Sequence, residues 1–348
     1  MRKMFALALV FLFILVGAQA ALAAKVTWRL VTHAMPGTEQ QKLAEDFCET
    51  VKTLSGGEFV IEPYAAGVLF PVFESFDAVA NGIVDAAMVY SAYWTGKDPA
   101  FILTTRPGCP ISTFAEGVYL DEKLFPFFEK IYAKYGIKYL GHIMESVMPE
   151  QLMSVVPLKS IEDIKGKKIR SSGFGAKFYK ELGASTVSLS APEIYTAFQT
   201  KNIHAAEWTY WDENMRMGFQ EVATFVLDPA YHTGVNENFP LVVNPAKWDA
   251  LPQNFKDILL VARDKARFQA SLIYVAEIKA REKWKSNPNI EVASWSAEDA
   301  KKAREVGTKL LLAECEAIPE GKEYLEVYRN VLWELGYKDE AKNLGYAE

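Results

Sequence analysis

The sequence predicts an α/β protein of two lobes with a cleft between them and long C-terminal helices. Three observations carry this. The chain opens with a strand–helix–strand pattern, a helix–turn–strand unit near residue 74 recurs near residue 193, and from residue 252 onward the periodicity is mainly helical. Of 348 residues, 50% are hydrophobic and 24% charged, the balance of a folded chain, which excludes disorder. That length makes two domains the natural expectation. A net charge of −6 gives no support to nucleic-acid binding.

The first segment is an export signal by pattern. Arg2 and Lys3 precede an apolar run from Phe5 to Val16, and Ala18-Gln19-Ala20 and Ala21-Leu22-Ala23 offer small-residue cleavage sites. The run is shorter than the ~20 residues a spanning helix needs. Residues 1–24 are therefore expected to be a signal peptide cleaved near Ala23 or Ala24, which places the mature chain in the periplasm. Cys48, Cys109 and Cys315 cannot all pair within one chain, and Cys48 lies on an apolar helical stripe, where a packed thiol is expected.

Val26 to Val31 reads as the first strand. Thr38 to Gln41 has the form of a capping box, and Leu43, Phe47, Val51 and Leu54 follow at helical spacing. Ser55-Gly56-Gly57 ends that helix, and Glu58 to Pro63 reads as the second strand. In the repeat, Glu74-Ser75-Phe76-Asp77-Ala78 matches Glu193-Ile194-Tyr195-Thr196-Ala197 in type. Val84-Asp85-Ala86-Ala87 then aligns without a gap to Ile203-His204-Ala205-Ala206. Two distant copies fit two lobes rather than a solenoid. Ser160 to Gly166 is a capped turn, Lys167 to Ser171 a strand, and Ser172-Gly173-Phe174-Gly175 a helix start. Pro252 to Lys285, with Phe255, Ile258, Leu259, Ala262, Ala266 and Phe268, is expected to be helical, as are 297–317 and 323–335. Tyr324, Leu325, Tyr328, Val331 and Leu332 fit either ordinary intrachain packing or a dimer contact. The expected division is lobe I over 25–150, completed by C-terminal segments, lobe II over 151–250, and a helical segment over 251–348 that braces and crosses both.

Ligands of open α/β sheets bind beyond the carboxyl ends of strands. The repeat's strands end in Tyr90, Tyr93 and Trp94 on one side and Glu207, Trp208 and Trp211 on the other, an aromatic supply for a cleft. Arg170 ends a strand beside a helix start that carries Phe174. Such an Arg offers a fork to a carboxylate, reinforced by helix-start N–H groups, or else makes a surface ion pair. The glycines match neither a P-loop nor a dinucleotide fingerprint. His33, His142, His204 and His232 form no zinc motif, and no nucleophile elbow is present. A solute binder is expected rather than an enzyme. An exported enzyme or a ligand-sensing subunit on the same scaffold are the alternatives.

Asp163-Ile164-Lys165-Gly166-Lys167-Lys168-Ile169-Arg170, Glu193-Ile194-Tyr195-Thr196-Ala197-Phe198 and Ile203-His204-Ala205-Ala206-Glu207-Trp208 together resemble the solute-binding subunit of tripartite ATP-independent periplasmic (TRAP) transporters, the DctP-like family. Ser55-Gly56-Gly57 followed by Tyr64 to Leu69 is similar to a second family stretch. The resemblance implies a periplasmic binding protein fold, type II-like, and delivery of a small carboxylate to small and large TRAP membrane subunits by a monomer or homodimer. Tyr93 to Phe101 and Ala206-Glu207-Trp208 look most like the 2-oxo-acid-binding subset. By that resemblance Arg170 clamps the carboxylate, and Gln151, Glu207, the Trp208 carbonyl and Glu237 hold a bridging Na⁺ or Ca²⁺, as oxygen-rich sets do. Asn236, a candidate ligand contact, Cys109 to Thr113 and His204 depart from the family's pattern. Without a cation, Glu207 would instead meet a ligand ammonium, and the pocket would suit an amino acid with a bulky side chain.

Overall fold

The computed structural model describes residues 26–347 except 109, 112, 146, 147 and 233–237. The expected signal peptide, Cys109, Asn236 and Glu237 lie outside the described residues. Lobe I begins with β1 (Val26–Thr32), α1 (Glu39–Leu54), β2 (Phe59–Tyr64), α2 (Ser75–Ala80), β3 (Ala86–Met88), α3 (Phe114–Ala133) and β4 (Lys138–Glu145). Thr38 caps α1 by accepting the Gln41 N–H at 3.3 Å. Only half of the expected box forms there, because the Gln41 side chain turns inward to Thr32 Oγ1, 2.7 Å away. The apolar stripe of α1 buries Leu43, Phe47, Cys48 and Val51 against the sheet.

Lobe II holds β5 (Leu152–Ser154), β6 (Lys168–Arg170), α4 (Gly173–Glu181), β7 (Ser185–Val187), α5 (Ala191–Gln199), β8 (Ala205–Ala206), α6 (Trp211–Arg216) and β9 (Phe225–Leu227). Here the capping box at Ser190 is complete, with Glu193 accepting the Ser190 N–H at 2.8 Å, and a proline stands in the first turn. Both copies of the repeat form the expected short helix and short strand.

The chain then returns to lobe I through β10 (Asn238–Val243) before α7 (Pro245–Asp249), α8 (Gln253–Leu272), α9 (Tyr274–Ser286), β11 (Glu291–Ala293), α10 (Ala297–Ala317), α11 (Gly321–Glu334) and α12 (Lys338–Asn343). One sheet has the order β2-β1-β3-β10-β4, the other β11-β9-β5-β8-β6-β7. The boundary expected at residue 250 is therefore displaced. β10 pairs antiparallel with β3 and β4, and its run Phe239 to Val243 is buried on both faces, as a central strand must be. β11 in turn supplies an edge strand to lobe II from the helical region.

The stretch Pro252–Lys285, expected to be helical, forms two helices meeting at Ile273. α8 packs on α1 and β4 of lobe I, whereas α9 packs on α6 and β11 of lobe II, so the break falls where the chain changes lobes. Phe268 lies on the outer face of α8, exposed with Val261 and Leu272, and is not part of its buried stripe. Tyr324, Tyr328, Val331 and Leu332 are buried, and α11 packs on α3, so these residues serve intrachain packing. No described helix is long and apolar enough to cross a membrane.

The lobes touch. Gln40 of α1 donates to Thr209 Oγ1 beyond β8 at 3.1 Å, and Arg216 of α6 meets Glu39 at 2.9 Å. Phe174 of α4 is buried in the apolar cluster of lobe I. Gly173 has φ +54, and a Cβ there would come within 2.6 Å of the Ala92 Cβ, so only glycine allows this approach.

Candidate ligand-binding site

Arg170 ends β6 and is 2% exposed. Its Nη1 donates to the Glu207 carbonyl at 2.6 Å and to Glu207 Oε2 at 3.1 Å, and its Nε donates to the Leu189 carbonyl at 3.0 Å. The guanidinium lies over the Trp208 ring, 5.1 Å from the centroid. These contacts lock the plane of the side chain. Nη2 alone is buried without a partner. Of the guanidinium, Nη1 and Nε are bonded within the protein and Nη2 is spare. Glu207 is held from the other side by the Ser172 N–H, 3.0 Å from its Oε1.

Glu207 belongs to a buried group with Glu150 and His232, whose ligand atoms lie within 4.8 Å of one another. His232 Nε2 is 3.0 Å from Glu150 Oε2, and its Nδ1 is 3.1 Å from the Tyr179 hydroxyl, which donates to the Ala230 carbonyl. A Cβ on Gly175 would fall 2.5 Å from His232 Cδ2, so this helix turn is bare to admit the imidazole. Beside it, Gln151 donates from Nε2 to the Pro149 carbonyl at 2.6 Å, which leaves Oε1 buried with no partner. Glu207 is paired with Arg170 and Glu150 with His232, and the orphaned amide oxygen of Gln151 adds a further acceptor beside them. The donor set is oxygen-rich and fits a hard cation. Glu150 and His232 were not found by sequence reading, since no spacing relates them. Glu150 had one signal, its place next to Gln151.

A small cavity lies between the lobes, lined by His33, Gln40, Tyr90, Tyr93, Trp208, Thr209 and Phe239. The Tyr90 and Tyr93 rings meet edge to face at 5.6 Å, and Phe73 continues the chain of rings outward at 4.9 Å from Tyr93. Trp208 Nε1 is buried without a partner. Of the aromatic residues expected here, Tyr90, Tyr93 and Trp208 are brought together. Trp94 is not: it packs between Phe76 and Phe101 and donates to the Phe73 carbonyl at 3.3 Å. Trp211 is likewise turned away, 1% exposed against Trp284. Both rings fill cores, because the turns after their strands face inward. His33, Gln40, Thr209 and Phe239 were missed. The strand-end rule reaches His33 and Gln40, which follow β1 and begin α1, but it had been applied only to the repeated strands.

A model described as DctP, bacterial extracellular solute-binding protein, family 7, matches residues 30–316. A monocarboxylate 2-oxoacid-binding periplasmic protein of Nostoc sp. is 28% identical over 239 residues, which are 68% of this chain and 65% of that protein, just under two thirds of its length. A TRAP transporter solute-binding protein from Bordetella bronchiseptica, described as a mixed-occupancy dimer with calcium and picolinate, superposes with a TM-score of 0.80 at 23% identity, covering 92% of this chain and 96% of that one. One from Pseudoalteromonas atlantica, with sodium and pyruvate, does so with a TM-score of 0.80 at 23% identity, covering 93% and 100%. At these identities the two structures establish the fold. Family 7 consists of binding proteins without catalytic activity.

Proposed function

The chain belongs to the DctP family of bacterial extracellular solute-binding proteins, and from that premise we propose that it closes on a small monocarboxylate, of the 2-oxo, 2-hydroxy or amino acid kind, and delivers it to a TRAP membrane permease. The observation that carries this reading is the buried, unpartnered Nη2 of Arg170. A guanidinium arm out of water and without an acceptor is costly unless an anion completes it. The expected monomer or homodimer, the export of the chain after loss of residues 1–24, and the pairing with small and large TRAP subunits come with the same proposal.

We propose further that a Na⁺ or Ca²⁺ ion bridges the carboxylate to Gln151, Glu207, the Trp208 carbonyl and Glu237, with Glu150 adding negative charge behind them. When bound, the ion supplies positive charge that binds the solute oxygens. The protein's part is to hold Gln151 Oε1 and the Glu207 carboxylate in place through the bonds from Gln151 to Pro149 and from Ser172 to Glu207. A ligand ammonium in the same place is the second reading, supported by the same group of acceptors.

A thermal-shift screen of small organic acids and amino acids tests the first proposal. A true solute at 100 times its Kd stabilises by about 2.7 kcal/mol, and the carboxamide of the same solute is expected to have no effect. Equal shifts from acid and amide would refute it. Chelation and dialysis separate the other two readings: loss of acid binding, restored by Ca²⁺ or Na⁺, supports the ion, and indifference to chelator with a preference for amino acids over their oxo analogues supports the ammonium.

A further inference from the structure

We propose that the outer face of α8 and α9 is where a second copy of this chain docks, helix against helix and antiparallel, as a two-fold dimer. This decides between the monomer and the homodimer left open above. It rests on no assumption about the solute, and its test reads mass, so its failure leaves the carboxylate reading untouched.

A surface helix needs one apolar stripe, the one that packs on its own domain. α8 has that stripe in Phe255, Leu259, Ala262, Ala266 and Ala270, buried where it packs on α1 and β4. It carries a second stripe on the opposite side. Among the described residues, eleven large apolar side chains stand exposed, and six of them fall within 261–278. These are Val261, Phe268, Leu272, Tyr274, Val275 and Ile278, each between 42% and 58% exposed. Ile273, at the break between the two helices, has φ −58 and ψ −27 and so keeps the helical course. Along that course Val261, Lys265, Phe268, Leu272, Val275 and Lys279 are spaced by four and three in alternation. That is the seam of a two-stranded coil, narrower than the face a helix shows to a core.

The area suits a second copy. The exposed parts of the six apolar side chains amount to roughly 600 Å² per copy, at the top of what a monomer leaves bare in one patch. Two such faces together come to about 1,200 Å², the lower bound of a stable interface. A two-fold axis sets one patch against its own copy, so the seam supplies its own match.

Charge fixes the direction. The seam is apolar in the middle and has a lysine toward each end, Lys265 and Lys279. Parallel pairing sets each lysine on its own copy. Antiparallel pairing about Ala270 sets Phe268 of one copy on Leu272 of the other, Lys265 on Val275 and Lys279 on Val261. Lys265 is drawn aside to Thr50 Oγ1 of α1, 2.7 Å away. The stem of Lys279 covers Val261, and its ammonium comes within a turn of Asp264, whose side chain is 60% exposed. α8 of one copy, packed on lobe I, then lies along α9 of the other, packed on lobe II.

Sedimentation equilibrium of the mature chain at about 50 µM is expected to give twice the mass of one chain, as fits an interface of this size. Phe268→Glu combined with Leu272→Glu is expected to weaken self-association about 100-fold or more, with circular dichroism and Tm as in the wild type. Val275→Glu carries the same test if the double variant does not fold. Ser271→Cys puts two thiols beside the axis and is expected to cross-link the dimer under mild oxidation, beyond the level the native cysteines give the wild type. Lys265→Cys is expected not to. A wild type that sediments as a monomer overturns the proposal, and so does a dimer that survives the glutamate variants. Cross-linking through Lys265→Cys in place of Ser271→Cys overturns the antiparallel course. A monomer whose glutamate variant binds acid but no longer delivers it assigns the face to the permease and overturns the dimer.

Discussion

Two groups of buried charge stand in this molecule, one in lobe I and one at the cleft, and they are built from the same residue types. In lobe I, Asp121 and Glu145 face Arg106 and Arg267, with His142 at the edge. Asp121 Oδ1 is 2.8 Å from Arg106, its Oδ2 meets both His142 and Arg267, and Glu145 is paired with Arg106 at 3.5 Å and with Arg267. Each carboxylate oxygen meets a nitrogen. Burial would raise the pKa of Asp121, but Arg106, His142 and Arg267 together draw it down to about 2. His142 itself is driven to about 4 by burial, so two acids balance two guanidinium groups. At the cleft Glu207 is paired with Arg170 at 3.1 Å and Glu150 with His232 at 3.0 Å, while Arg170 Nη2 and Gln151 Oε1 have no hydrogen-bond partner. In the first group every carboxylate oxygen lies against a cationic nitrogen, although the Glu145 oxygens and Arg267 Nε make no hydrogen bond; in the second, Arg170 Nη2 and Gln151 Oε1 meet no partner of either kind. Three of its side chains could hold a metal by position, yet the lobe I group already contains its own cations, so position alone does not mark a site.

The largest effect is expected where the lobe I pairing is broken. Asp121→Asn leaves Arg106 and Arg267 sharing Glu145. Breaking a buried ion pair of this kind costs roughly 3–5 kcal/mol, readable by urea unfolding, while solute affinity of the folded variant stays within about twofold. The sign with pH follows from the lowered pKa. The stabilisation from Asp121 is present above its unfolded value and is lost as pH falls toward about 2, so the variant is expected to lack that part of the acid transition. A variant as stable as the wild type would remove the distinction between the two groups.

Next in size is Arg170→Ala, which acts on the group at the cleft and is expected to reverse the pattern. Loss of a buried partner to a ligand charge costs about 2–5 kcal/mol of binding, or roughly 30- to several-thousand-fold in Kd. Calorimetry reads it, with circular dichroism as the check on folding. Arg170→Lys recovers only part, because a point charge cannot keep the bond to Glu207 and offer a second arm in one plane. Binding within threefold of wild type would place the carboxylate receptor elsewhere.

The smallest effect concerns a buried acid with no arginine. Glu277 of α9 accepts the Asp212 N–H at 2.9 Å and so ties α9 to the start of α6. Burial, reinforced by Asp212 and Glu213, pushes its pKa up to about 8. The folded state therefore binds a proton that the unfolded state releases near pH 4.5. Stability from this group is full below that pH and is lost as pH rises through about 8. Glu277→Gln keeps the acceptor and removes the charge. It is expected to flatten the fall between pH 5 and 8 and to melt about 2–4 °C higher than wild type at pH 8.5. A variant with the same pH slope as wild type would show that Glu277 is ionised and solvated.

The two groups also differ in how legible they were. Glu207 stands at the end of a repeated strand and Arg170 at the end of the strand between the two copies, beside a glycine-bearing helix start, and local pattern is enough to single them out. Glu150 and His232 complete the same site from distant segments, and the lobe I group was not marked at all. Helical periodicity showed where α8, α10 and α11 run. It did not show that the chain breaks at Ile273, because an apolar stripe has the same period on either side of a change of lobe. Nor does it tell that Phe268, which runs along the same stretch, lies on the face that the packing on α1 and β4 leaves exposed.

By itself, the sequence determined most of the helices and strands, the cap at Ser190, half of the box at Thr38, and the α/β character of the two sheets. These depend on residues a few positions apart, whose interactions are set before any fold exists. Only the tertiary structure decided that β10 completes lobe I, that Trp94 and Trp211 fill cores while Tyr90 and Tyr93 face the cleft, and which polar atoms are left without partners. Those are outcomes of packing and of long-range hydrogen bonding, in which a donor at one position is consumed or spared by a group more than thirty residues away, as Arg170 Nη1 is by Glu207.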